Sequence, residues 1–274
     1  MNKFAIPYNR FSPYLKEVGE IILKYCPGDT LIDSLTDFLQ EHINQRIVLD
    51  IADLEEFFAL HEEVELNQLL QMKEIDNWVL RVPNIPTEEQ VKKLSRFPYF
   101  VNSYVDTFEQ MQVLLRLGVT DIYVTNELAF DVKELHGYLA GKGVKLRIIP
   151  NIAQSADEAA AAITKFFIRP EDIIEYDPYI DVFEIGLENK KVSSYDIVAY
   201  KAYAIDKIWF GNLAELILKL DEEVESPYLH PNFAKRRLSC HKKCLTGHPC
   251  NICSAYQELS KTLKKAKIMV ERKE

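Results

Sequence analysis

Short β-branched and aromatic runs alternate with helical stretches along most of this chain, and that rhythm restricts the fold more than any other feature. The runs are "KFAIPY" (3–8), "TLIDSL" (30–35), "RIVLDI" (46–51), "NWVLRV" (77–82), "YFVNSY" (99–104), "DIYVT" (121–125), "KLRIIP" (145–150), "FFIRP" (166–170), "DVFEI" (181–185) and "KIWFG" (207–211). Most read as apolar on both faces, the pattern of parallel strands covered by helices. Helix-start chemistry follows several of them. Thr87–Gln90, Thr107–Gln110 and Ser155–Glu158 each match a capping box, and Gly118 and Gly143 fall where helices would end. Strand and helix alternating about eight times over roughly 210 residues predicts a (β/α)8 TIM-type barrel, with a doubly wound open sheet as the alternative.

Other α/β chemistries leave no trace. The chain has 9 Gly, with neither a dinucleotide-binding glycine fingerprint after a strand nor a phosphate-cradling GxxxxGK loop. HExxH and GxSxG are absent as well. Apolar residues make up 47% and charged residues 27% of the 274, and no apolar run approaches the roughly 20 residues of a membrane span. The first twenty residues lack the apolar core and cleavage site of a signal peptide, so a cytoplasmic, reducing location is expected, with no membrane partner.

Four of the five cysteines lie in "SCHKKCLTGHPCNIC", at Cys240, Cys244, Cys250 and Cys253. In a reducing compartment, clustered thiols point to metal or redox chemistry rather than disulfides. The spacing C-x3-C-x5-C-x2-C suits a tetrahedral zinc site or a [4Fe-4S] cluster and does not choose between them. Arg237, Lys242 and Lys243 favour the thiolate form. Cys26 reads as an ordinary buried thiol. The segment also carries most of the positive charge. Residues 235–274 hold 11 Lys and Arg against 3 Glu, leaving 22 basic against 39 acidic in the rest of a chain of net charge −9. The body repels nucleic acid, whereas the tail can attract an RNA or a protein partner, or serve as a solvated helix. Two domains are expected: a barrel over 1–222, then a connector, a four-cysteine metal site and a terminal helix over 223–274.

"FFIRPEDIIEYDPYIDVFEIG" (166–186) resembles the collagenase-like peptidase U-thirty-two superfamily, through Ile168, Arg169, Pro170, Glu171, Asp172, Tyr176, Phe183, Ile185 and Gly186. "DKIWFGNLAELI", the opening "KFAIPYN" and the cysteine-rich "GHPCNICSAYQELSKTL" resemble further segments of that group. The resemblance implies a barrel. It also implies either peptide hydrolysis or oxygen-independent hydroxylation with an iron–sulfur cluster. Many members carry a cysteine or a His-Gly soon after the seventh strand; here "IIPNIAQSADE" places Asn151 there instead.

Barrel enzymes place reacting groups at the C-terminal ends of strands. The polar residues predicted there are Asp50, Asp53, Arg81, Asn102, Asn126, Glu127, Asn151, Arg169 and Glu171, with Arg169, Glu171, Asn151, Arg81 and Asn126 as the catalytic candidates. Arg169 closes the run "FFI", and its fork suits an anionic substrate, unless it pairs with Glu171 or Asp172 as a structural lock. His42, His61 and His136 lie in helical stretches and read as surface residues. Two function classes follow. One is an iron–sulfur barrel enzyme acting on a small organic or nucleic-acid-linked substrate. The other is a metal-stabilised, non-catalytic binding or assembly protein. A peptidase is the weaker third, because four thiolates leave zinc no open position.

Overall fold

The structure, a computed structural model, describes residues 3–8, 15–26, 38, 41–42, 44–61, 63–71, 77–105, 107–124, 128–150, 168, 170–185, 235 and 238–239. The chain forms two compact units. The first joins Met1–Val124, Leu139–Ile148 and Asp181–Gly186. It holds every described strand: β1 (Phe4–Pro7), β2 (Glu20–Lys24), β3 (Arg46–Asp50), β4 (Trp78–Val82), β5 (Tyr99–Val101), β6 (Tyr104–Val105), β7 (Asp121–Val124), β8 (Lys145–Ile148) and β9 (Val182–Glu184). All pairings are parallel, in the order β5-β4-β3-β2-β1-β9-β8-β7-β6.

The two ends of that order, β5 and β6, are consecutive in the chain and separated only by Asn102 and Ser103. They form one bent strand. Its first half pairs with β4 and its second with β7, and Thr120 N–H also donates to Tyr99 O at 2.8 Å. The sheet therefore comes back on itself as a nearly closed ring of eight parallel strands with helices between them, a TIM barrel. Among the described strands, with β5 and β6 counted as one, each pairs with a neighbour on both sides, so the ring offers another chain little open edge.

Helices follow the sequence signals. Helix α1 (Leu54–Leu60) is capped by Asp53, whose carboxylate accepts from the N–H groups of Glu55 and Glu56. Next come α2 (Glu63–Gln71), α3 (Glu88–Leu94) and α4 (Phe108–Arg116). The last two start with complete capping boxes at Thr87 and Thr107. Beyond α4, Gly118 adopts φ 78°, a left-handed conformation that costs glycine little and other residues more. Leu94, Met111 and Leu114 are the buried faces of α3 and α4. The third expected capping box, Ser155–Glu158, lies outside the described residues.

The second unit joins Thr125–Tyr138, Ile149–Ile180 and Leu187–Glu274. Its described elements are short turns at Leu128–Asp131 and Pro170–Asp172, helix α5 (Val132–Leu139, whose last residue belongs to the first unit) and helix α6 (Ile173–Tyr176). Within it, His136 and Lys133 both pack on the Tyr179 ring.

Two strand expectations need correction. The second ring position is Glu20–Lys24, a segment absent from the expected strands. Its charged ends, Glu20 and Lys24, hide the apolar middle. "FFIRP" was expected to be a strand, but Ile168 lies outside any strand and Pro170 opens a turn. The physical reasons are two: β8 and β9 pair directly, so no strand lies between them, and proline has no N–H for a ladder. "TLIDSL", "KIWFG" and the boundary at 222–223 lie outside the described residues. Among the described residues, no helix is long and apolar enough to cross a membrane.

Candidate functional site

Side chains alternate between the two faces of each strand, and the register fixes which positions share a face. Ile21, Ile47, Leu49, Leu80, Ile122, Leu146 and Phe183 lie on the face turned away from the barrel axis, and all are buried. The interior face is charged. It carries Glu20, Arg46, Asp50, Arg81, Asp121, Tyr123, Lys145, Arg147 and Glu184, alongside Ala5, Val48, Val79 and Phe100. Barrel interiors are normally filled by layers of bulky branched residues. Here four carboxylates face three guanidiniums and one ammonium.

The lower tier sits on the first residues of β2, β3, β7 and β8. Arg46 grips Asp121 with both terminal nitrogens, each at 2.8 Å, and reaches Glu20 at 3.1 Å. Lys145 lies 3.3 Å from the same Glu20 oxygen, and the Thr120 hydroxyl donates to Asp121 at 2.9 Å. Arg147 is wholly buried above this tier and ties it to the next. One of its terminal nitrogens donates to Glu20 and, at 3.0 Å, to Asp121; the other reaches Glu184 at 3.3 Å. Its guanidinium stacks over Phe100 at 4.7 Å and Tyr123 at 5.4 Å. A planar, weakly hydrated cation suits such a site as lysine would not.

The upper tier occupies the C-terminal ends of strands. Arg81 donates from one terminal nitrogen to Glu184 at 2.9 Å, and its Nε lies 2.9 Å from Asp50 Oδ1. The Tyr123 hydroxyl donates to Glu184 and lies 3.4 Å from Arg81 Nη1. Arg81 and Glu184 are buried, whereas the Asp50 side chain is 25% exposed.

The electrostatics follow from these contacts. Burial alone would raise the carboxyls of Asp121 and Glu20, but Arg147 and Arg46 outweigh it and hold both below the usual carboxylate range. Burial alone would lower the guanidiniums, and the facing carboxylates reverse that for Arg46, Arg81 and Arg147. Burial and then Glu184 push the Tyr123 phenol well up, so it stays a neutral donor. Chemically, the lower tier is an ionic lock whose Lys145 reaches solvent, and the upper tier is a preorganised charge set that meets solvent at Asp50.

The predicted site residues separate accordingly. Asp50 and Arg81 meet at the C-terminal end of the barrel. Asp53 serves as a helix cap. The Asn102 N–H extends the β4–β5 ladder by donating to Val82 O at 2.6 Å. Asn126, Glu127, Asn151, Arg169 and all four of Cys240, Cys244, Cys250 and Cys253 lie outside the described residues. Glu171 lies in the turn Pro170–Asp172. Among the described residues, no group of three or more His, Cys, Asp or Glu side chains is placed to hold a metal ion.

Sequence reasoning missed Glu20, Arg46, Asp121, Tyr123, Lys145, Arg147 and Glu184. A signal was present: "RIVLD" and "KLRI" each carry two charges an even number of positions apart, on one face, which is incompatible with a strand apolar on both faces. The histidine expectation also needs correction, since His42 and His61 are buried. Tyr25, just beyond β2, has its hydroxyl 2.8 Å from His61 Nε2, and His61 Nδ1 is 2.8 Å from Glu65. His61 thus bridges the Tyr25 hydroxyl and the Glu65 carboxylate through its two ring nitrogens. The exposed Cys26 replaces the expected buried thiol.

No protein-family model matches the chain, and no curated protein does. Among solved structures, a 4-hydroxy-2-oxoglutarate aldolase/2-deydro-3-deoxyphosphogluconate aldolase from TTHB1 covers 74% of this chain and 93% of its own, at 13% identity and a TM-score of 0.37.

Proposed function

We propose that this chain is a metal-containing barrel enzyme acting on a small polar substrate, organic or nucleic-acid-linked, at the C-terminal ends of its strands. The observation that carries this reading is the upper tier. A buried Arg81, fixed between Glu184 and a partly exposed Asp50, sits on the face where barrel enzymes do their chemistry. A charge set fixed before substrate arrives loses nothing to reorganisation during reaction. Of the two activities the family resemblance implies, oxygen-independent hydroxylation or related chemistry is the one that goes with an iron–sulfur cluster, and peptide hydrolysis is the weaker.

The metal belongs to Cys240, Cys244, Cys250 and Cys253. Four thiols within fourteen positions form a complete donor set for a [4Fe-4S] cluster or for zinc. When bound, a cluster supplies electron transfer, whereas four-thiolate zinc supplies structure alone. The basic segment 235–274 gives an RNA or an acidic protein partner an electrostatic handle, and the location is cytoplasmic.

A second reading, a metal-stabilised binding or assembly protein without catalysis, draws on the near-complete internal neutralisation of the interior charges. One experiment separates the two: anaerobic purification of the full chain, with an absorption spectrum and metal analysis. Brown protein with about four iron and four sulfide per chain is the expected result. Colourless protein with about one zinc selects the second reading. Protein without metal overturns both. In the same preparation, Cys250→Ser should lose most of the metal while the circular dichroism of the barrel persists.

A further inference from the structure

Every member of the upper tier is enclosed except Asp50. Its carboxylate stands at the end of β3, opposite Arg81 in the parallel register, and holds Nε from the solvent side. Glu184 holds the same guanidinium from inside the barrel, where it is also tied to Tyr123 and Arg147. The two carboxylates on Arg81 are thus unequal. One is locked by three partners deep in the interior, and the other is reachable from the mouth.

We propose that Asp50 is the resident competitor of a substrate carboxylate, and that a small carboxylate ligand binds by taking its place on the Nε side of Arg81. This rests on the enzyme reading above and adds the substrate class. The chemistry favours a carboxylate. The guanidinium edge already faces a carboxylate, with Asp50 Oδ1 2.9 Å from Nε, and the planar fork of a guanidinium suits another planar, two-oxygen anion. Exchange leaves a carboxylate beside the buried cation before and after binding, and Glu184 stays in place throughout, so binding requires no new desolvation of Arg81. In this role Arg81 is a binding residue, and Asp50 is the gate that sets its affinity.

The test is chemical rescue by formate. Asp50→Ala removes the resident carboxylate and leaves a hole of matching shape beside Arg81. The variant should melt below wild type in chloride buffer and regain at least half of the loss in formate at the same ionic strength. With a dissociation constant of about 10 mM, about 100 mM formate shifts the folding equilibrium about elevenfold. Wild type should show no such formate-specific gain. Acetate should rescue more weakly, because its methyl group needs extra room. Asp50→Ser, a milder truncation, repeats the measurement if the alanine variant folds poorly. Formate that stabilises the variants no more than chloride overturns the proposal. So does failure of both variants to fold, because an exchangeable carboxylate cannot be one on which the fold depends. Neither result touches the metal content of the wild-type chain, which tests the enzyme reading separately.

Discussion

Removing the Arg147 guanidinium would leave Glu20, Asp121 and Glu184 facing one another inside the barrel. Arg147→Met keeps the stem and deletes the charge, so the loss is electrostatic rather than steric. Breaking a buried ion network by removing one partner costs about 3–5 kcal/mol, and urea unfolding of the variant should show a loss of that size. A loss under about 1 kcal/mol, the worth of an exposed pair, would mean that water reaches the network freely. Such a residue was hard to read from sequence because "KLRI" has only one residue between its two charges. Lys145 and Arg147 look like the solvent face of an edge strand until the ring is closed and that face becomes the interior. Asp50 and Arg81 were legible because each stands near the end of a strand, where barrel geometry makes a polar residue meaningful. Glu184 stands there too, within "VFE", but its partner Arg81 lies 103 positions away, and no local pattern reports that.

At the scale of elements, helix starts were the most legible feature, because a capping box is a local bond pattern satisfied within four residues. Thr107→Ala removes the side chain that accepts from the Gln110 N–H and should cost about 1 kcal/mol, read as a lower melting temperature with unchanged circular dichroism. Thr107→Ser should retain most of the cap. Strand boundaries were legible wherever the strand was apolar, as in "WVLRV". They failed at Glu20–Lys24, where the interior face supplies charge, and at "FFIRP", where apolar residues precede a proline turn. The β5–β6 bend falls inside the single run "YFVNSY". Composition marks the strand but not the break at Asn102 and Ser103, which arises because one strand must pair with β4 first and β7 afterwards.

At the scale of the whole molecule, a charged interior makes stability depend on pH. Glu20 and Asp121 are more acidic folded than unfolded, so their contribution is complete above the unfolded carboxyl value of about 4 and is lost as pH falls through the lower folded values. Tyr123 is shifted the other way: its contribution is complete below the unfolded phenol value of about 10 and is lost as pH rises toward the folded one. The unfolding free energy should therefore form a plateau between about pH 5 and pH 9 and fall on both sides, measured by urea titration at each pH. A free energy that grows on acidification below about pH 4 would contradict the network. The network also bears on how the chain comes to fold as it is synthesised. Its ion pairs span the two halves of the ring, with Arg46 and Asp121 75 positions apart, Arg81 and Glu184 103 apart, and Glu20 and Arg147 127 apart. A nascent half-barrel of β1–β4 thus holds its charges toward an interior that the later strands have yet to build. Within that half Glu20 pairs with Arg46 and Asp50 with Arg81, and the network is complete only once Asp121, Arg147 and Glu184 arrive with β7, β8 and β9. Pairs this distant in sequence tie the completion of the interior to the arrival of the last strand, so charge, beside apolar packing, couples the two halves.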